Sequence, residues 1–167
     1  MNNFKKIFIT FLSALILTVV NTSSSFAKVE GDTIVLGAAV SLTGKYSSNG
    51  VHTQNGYNLA VERINSMGGV KVKGKNYKFK IIYYDDESNS GRAAQLAERL
   101  IKQDGVQYML GPYSSGLTKA MAPVTEKYKI PMVEANGASR SLFTKGYKYL
   151  FAVLAPANLY LDVAIDL

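Results

Sequence analysis

Apolar and polar positions in this chain follow two alternating periods, and the switches between them mark out its elements. Residues 33–40 are a short, mostly apolar run closed by Ser41-Leu42-Thr43-Gly44, the pattern of a strand buried on both faces and followed by a loop. Tyr57, Ala60, Val61, Ile64 and Met67 then recur at helical spacing until Gly68-Gly69 supplies a stop. Lys73-Gly74-Lys75-Asn76, set between alternating residues, predicts a small hairpin ahead of a second strand at 78–84. Ala93, Leu96, Ala97, Leu100 and Ile101 form the stripe of a second helix, ended by Gly105. A third strand at 106–110 runs into Gly111-Pro112-Tyr113-Ser114-Ser115-Gly116. Leu117, Met121, Val124 and Tyr128 then stripe a third helix, which Pro123 is expected to kink or to displace at its start. Residues 130–133 and 149–153 are strands four and five, with a turn or short helix at 139–143 between them.

Strand and helix alternating four times through short connections predict an α/β fold, an open, mostly parallel, doubly wound sheet with right-handed crossovers. Without a dinucleotide fingerprint the expected strand order is 2-1-3-4-5, which puts the switch point between strands one and three.

The first residues change the picture of the chain's fate. Lys5 and Lys6 precede an apolar run at 7–20, a polar stretch and Ser25-Phe26-Ala27, the order of a secretory signal peptide. The run is too short for a membrane span, which needs about 20 apolar residues. Cleavage is expected after Ala27, and no cysteine follows to accept a lipid, so a soluble periplasmic chain starting at Lys28 is expected. Loss of two of 19 basic and none of 12 acidic residues leaves a net charge of +5. That mild excess sits largely in Lys71, Lys73, Lys75, Lys78 and Lys80, an alternation read as the wet face of a strand pair and not as a nucleic-acid site. With no cysteine there is no disulfide framework or thiolate metal site. The segment from 158 starts a new periodic pattern and stops, so the chain reads as the front part of a longer protein.

In this architecture ligands sit beyond the carboxyl ends of the strands, where the order reverses. The loops at 41–50, 112–116 and 136–139 meet there, and all are rich in Ser, Thr, Asn and Gly. Such loops feeding helix starts suit a carboxylate, because the first N–H groups of a helix are unpaired and carry partial positive charge. The candidate ligand-binding residues are Ser41, Tyr46, Tyr113, Ser114, Ser115, Asn136, Ala138 and Ser139. Ordinary N-capping explains any one of these serines equally well, and either tyrosine serves as a ligand wall or as a plain surface residue. Asp85-Asp86-Glu87 ends strand two beside the crevice and reads as a solvated or helix-start acidic cluster in preference to a metal site.

Several chemistries fail on the residues. Six residues separate Gly37 from Gly44, and Tyr46 replaces the hydroxyl that a phosphate-binding P-loop needs. No G-x-G-x-x-G follows strand one. Tyr113 occupies the nucleophile position of the nearest approach to a hydrolase elbow, and the single histidine, His52, reads as a surface or helix-start residue. No cofactor is implied. An enzyme completed by a later histidine, or a sensory receptor module on the same fold, stays open beside a binding protein.

A series of stretches resembles the periplasmic leucine/isoleucine/valine-type binding proteins of ABC importers, within the type I periplasmic binding fold. These are Ile34-Val35-Leu36-Gly37 through Ser41-Leu42-Thr43-Gly44, Asn55-Gly56 with Ala60-Val61-Glu62-Arg63-Ile64-Asn65, and Gly68-Gly69. Tyr84-Asp85-Asp86-Glu87-Ser88, Gly111-Pro112-Tyr113-Ser114-Ser115 and Lys145-Gly146-Tyr147-Lys148-Tyr149-Leu150-Phe151 continue it in order. The resemblance implies two lobes closing on a small-molecule ligand, an amino acid or similar, and a membrane permease as partner of a monomer. Residues 1–27 would then be the signal peptide, 28–156 most of lobe one, and 157–167 the start of lobe two. It also implies that Ser115 and the segment at 136–139 hold the ligand carboxylate. The chain differs from the leucine-binding branch in having Ala138 near a threonine position and in lacking a lobe-one disulfide.

Overall fold

The computed structural model describes residues 29–161. The signal-peptide expectation lies outside them, as does most of the expected start of a second lobe. In chain order the elements are β1 (Val29–Glu30), β2 (Thr33–Val40), α1 (Ser47–Ser66), β3 (Val70–Val72) and β4 (Lys75–Asp85). They continue with α2 (Ser90–Lys102), β5 (Met109–Leu110), α3 (Ser115–Tyr128), β6 (Met132–Glu134) and β7 (Leu150–Ala152), with single 3-10 turns at Arg140–Leu142 and Ala157–Leu159.

The sheet order is β3-β4-β2-β5-β6-β7, parallel from β4 to β7. Counting only the crossover strands, this is the expected 2-1-3-4-5, with the reversal between β2 and β5. β3 is the hairpin arm, antiparallel to β4, and its two-residue turn sets Lys73 at φ 48° and Gly74 at φ 85°. Positive φ at both turn residues suits the twist of paired strands. The five lysines of this arm are all exposed.

Two expected strands are shorter than their apolar runs, for one reason. The Val106 N–H bonds to the Leu100 carbonyl and the Ile130 N–H to that of Thr125, so these residues close the ends of α2 and α3 before the ladder begins. Lys129 makes this return in the left-handed region, φ 57°. Pro123 neither starts nor ends α3, which runs through it with the proline on the exposed side.

Strand alternation sorts the core. Val35 and Ala39 of β2, Met109, Met132 and Leu150 point to one face, where they bury against Leu96 and Leu100 of α2 and Leu117 and Met121 of α3. The other face carries α1, which departs from its expected stripe. Ala60 and Met67 are exposed, whereas Tyr57, Val61 and Ile64 are half-buried. The helix lies alone on its side of the sheet among the described residues, so no neighbour covers its flanks. Beside it Ile34, Leu36, Phe79, Tyr108, Leu110 and Val133 line an apolar groove of about 340 Å³.

The far end of α1 is pinned by Asn65, whose amide donates to the Phe79 carbonyl and accepts from the Phe79 N–H, each at 2.8 Å. It thereby takes the place of a neighbouring strand where β3 has ended. Asn65→Ala leaves both backbone groups without their partner and is expected to cost about 1–3 kcal/mol. A thermal melt of the full-length protein reads this directly, and an unchanged midpoint would show that the side chain anchors nothing.

Candidate functional site

At the carboxyl end of β2 the chain turns through Ser41-Leu42-Thr43-Gly44, held by the end of β4. Asp85 accepts from the N–H groups of Leu42 (2.9 Å) and Thr43 (3.2 Å) and from the Thr43 hydroxyl (2.7 Å). Burial pushes the Asp85 carboxyl up, but the Thr43 hydroxyl and the Glu87, Leu42 and Thr43 N–H groups outweigh it, so it sits below its ordinary value. Asp86 is fully buried and accepts from the Ser41 hydroxyl at 2.5 Å and the Ser88 N–H at 2.8 Å, with burial raising its pKa. Ser88 completes the clamp, its hydroxyl donating to the Thr43 carbonyl and accepting from the Tyr46 N–H. For Asp86 this corrects the expectation of a solvated or helix-start acidic cluster: it lies wholly inside, because the Ser41 hydroxyl and the Ser88 N–H take it as their acceptor at the end of β4. The N-cap of α2 is Asn89, which accepts from the Arg92 N–H.

The loop after β5 enters α3 through Ser114, an N-cap at φ 80° whose hydroxyl accepts from the Leu117 N–H at 3.4 Å. The left-handed region is rare for a non-glycine residue and recurs where a site imposes backbone shape. Ser115 opens the helix, and its hydroxyl accepts from the Ser139 N–H at 3.0 Å, tying the post-β6 loop to α3. That bond leaves the Ser115 proton free to donate.

Beneath both loops lies Glu134, fully buried at the end of β6. One oxygen accepts from the N–H groups of Asn136 (2.5 Å) and Gly137 (2.6 Å), and the other lies 2.6 Å from the Thr118 hydroxyl. Glycine at 111 makes the space, since a Cβ there would stand 2.2 Å from that second oxygen. Burial raises the Glu134 pKa, against the pull of Thr118 and the loop N–H groups. Tyr57 of α1 donates to the Gly111 carbonyl at 2.7 Å, and burial, then the nearby Glu134, push its phenol well above the usual range. It is a neutral donor that ties α1 to the end of β5.

Between the start of α1 and these loops opens a cavity of about 430 Å³, walled by Asn49, His52, Thr53, Gly56, Tyr57, Tyr113, Ala135 and Asn136. It lies at the carboxyl ends of β5 and β6, beside the reversal of strand order, where such sheets take small ligands. Tyr46 stands behind the wall, its ring edge-on to that of Tyr113 at 5.6 Å between centroids.

A sequence model of the periplasmic binding protein family matches residues 33–165. The chain belongs to that family. A leucine-, isoleucine-, valine-, threonine- and alanine-binding protein of Pseudomonas aeruginosa is 26% identical over 133 residues, covering 80% of this chain and 34% of its own length. A branched-chain amino acid transporter substrate-binding protein of Streptococcus pneumoniae, solved with isoleucine, superposes with a TM-score of 0.67 at 28% identity, covering 80% of this chain and 39% of that one. A solute-binding protein of Rhodopseudomonas palustris HaA2, solved with p-hydroxybenzoic acid, gives 0.59 at 30% identity, covering 72% and 31%. The chain thus spans about a third of the length of these relatives.

Within this periplasmic binding protein lobe the candidate residues fall into three groups. Tyr113 and Asn136 line the cavity. Ser114, Ser115, Ala138 and Ser139 frame the bridged loops beside it, with the Ser139 hydroxyl 2.9 Å from that of Ser141. Ser41 and Tyr46 are not in the cavity wall: Ser41 is buried against Asp86, and Tyr46 packs on Tyr113 and the core. Sequence reasoning missed Asn49, Thr53, Gly56 and Tyr57 as wall residues and Glu134 as the organiser of the loop. His52 was legible as a helix-start histidine, though not as part of the wall. Asn49, His52, Thr53 and Gly56 recur at i, i+3, i+4 and i+7, a signal present in the sequence but polar, and so not visible to a search for apolar stripes.

Proposed function

We propose that the full-length protein is the solute-binding component of an ABC importer, exported to the periplasm with loss of residues 1–27. It captures an amino acid or related small carboxylate between this lobe, residues 28–156, and a second lobe that begins near residue 157. It then delivers the ligand, as a monomer, to a membrane permease. The observation that carries this reading is the cavity, walled by aromatic and polar residues, at the switch point of a lobe whose family consists of binding proteins. The ligand carboxylate sits beside this cavity, at the start of α3. The Ser115 and Gly116 N–H groups have no partner there among the described residues, and the Ser115 hydroxyl retains its proton. Ser139, held by Ser115, and the backbone at Ala138 form the other side.

A hydrogen bond to a charged group is worth about 1.5–3 kcal/mol, so Ser115→Ala should weaken ligand binding about ten- to a hundredfold. Calorimetric titration with L-amino acids and 4-hydroxybenzoate, beside a thermal melt, measures this. Affinity unchanged with a lowered melting temperature would mean that Ser115 only bridges the two loops.

A further inference from the structure

The face of α1 that begins with Asn49 changes character halfway along. Toward its C-terminal end Tyr57, Val61 and Ile64 are half-buried on the sheet, whereas the first turns, facing the cavity, present Asn49, His52 and Thr53. Among the described residues no Leu, Ile, Val, Met or Phe side chain lines that cavity. Two of its polar groups are already committed: the Thr53 hydroxyl donates to the Asn49 carbonyl at 2.9 Å and the Tyr57 hydroxyl to Gly111 at 2.7 Å. The side chains of Asn49, His52 and Asn136 make no hydrogen bond with the described residues, so amide and imidazole groups face the space unspent.

From this we infer that the ligand carries a hydrogen-bonding group, a hydroxyl or a carboxamide, at the end remote from its carboxylate, read by Asn49 and His52. Branched aliphatic amino acids are then poor ligands. The inference rests on the reading of this cavity as the ligand site. When a ligand displaces water from the cavity, an aliphatic end leaves the Asn49 amide and the imidazole without partners, and a site built to pair a hydroxyl or amide rejects the analogue that lacks it. The rings of Tyr57 and Tyr113 supply apolar surface for the body of the ligand, which fits a small molecule of mixed character in a space of about 430 Å³.

Matched pairs test this by calorimetry on the full-length protein freed of endogenous ligand: L-leucine against L-asparagine, L-valine against L-threonine, and benzoate against 4-hydroxybenzoate. The polar member of at least one pair is expected to bind at least tenfold more tightly than its partner. The double variant Asn49→Ala/His52→Ala is expected to bring that ratio near one while Ser115→Ala weakens both members alike. Tighter or equal binding of the apolar member in every pair overturns the inference, as does a ratio that the double variant leaves unchanged. If the aliphatic members win and still depend on Ser115, this inference falls and the site stands. If no member binds the wild-type protein, both fall.

Discussion

Gly50→Ala is expected to unseat α1 and to cost the full-length protein more than about 3 kcal/mol, at the upper end of what overpacking does. The first turn of α1 passes so close to the end of β2 that a Cβ on Gly50 would stand 1.8 Å from the Ser41 carbonyl oxygen, 2.6 Å from its carbon and 3.0 Å from its Cα. All three atoms are backbone, and Ser41 is itself fixed by Asp86. Neither side can give by a rotamer change, so the helix or the strand end must move. The same α1 holds the cavity wall, and ligand binding should fail with it. Gly56→Ala in the same helix is the control. It meets nothing within 4 Å and should stabilise by about 0.5–1 kcal/mol through helix propensity. Paired thermal melts read both, and equal midpoints for the two variants would show that the approach of α1 to β2 is not tight.

Glu134→Ala and Glu134→Gln are expected to differ by several kcal/mol, in favour of the amide. Alanine strips the partner from the N–H groups of Asn136 and Gly137, each loss costing about 1–3 kcal/mol, and leaves the Thr118 hydroxyl with the Ser114 carbonyl alone. Glutamine keeps them all: its carbonyl accepts from the two loop N–H groups and its amide donates to Thr118. The Thr118 hydroxyl lies 2.9 Å from the Ser114 carbonyl as well as 2.6 Å from Glu134, and its single proton serves only one of them. A protonated Glu134 resolves the conflict by donating to Thr118, which then donates to Ser114. Burial, raising the Glu134 pKa above its ordinary 4.5, acts in the same direction. The folded protein therefore holds this proton more tightly than the unfolded chain. Stability from Glu134 rises as pH falls through the raised value toward 4.5, opposite to a carboxylate held in an ion pair. Asp86, also raised by burial, adds a slope of the same sign. Asp85, lowered, contributes stability that is present above 3.8 and lost as pH falls through its depressed value. Denaturant melts of wild type and Glu134→Gln between neutral pH and 4.5 isolate the Glu134 share. A slope as steep in the glutamine variant as in wild type would place the proton elsewhere.

The strands, the helices and the three loops at the carboxyl ends of the sheet were legible because they depend on periodicity, which acts over a few residues and is written locally. Val35 and Ala39 of β2 bury for the reason their apolar run announces, and the reversal between β2 and β5 is that of the order expected for a doubly wound sheet without a dinucleotide fingerprint. The limits appeared where one residue serves two elements. Val106 belongs to an apolar run, yet its N–H ends α2, and Ile130 does the same for α3.

By itself the sequence determined the alternation of strands and helices, the doubly wound order and the meeting of Ser- and Asn-rich loops at one switch point. Side-chain period and connection length set the elements without reference to distant partners, and the order is the one such a sheet takes without a dinucleotide fingerprint. Only the tertiary structure decided which polar groups remain available for a ligand. Ser41 looked like a donor until Asp86, 45 residues on, was found to accept its proton. Glu134 carries no local signal of its role, which is defined by N–H groups from its own loop and a hydroxyl on α3, and the polar spacing that starts at Asn49 does not tell that its side chain is left without a partner among the described residues. Hydrogen-bond satisfaction is a property of the packed whole, so it is settled when helices and loops converge and not before.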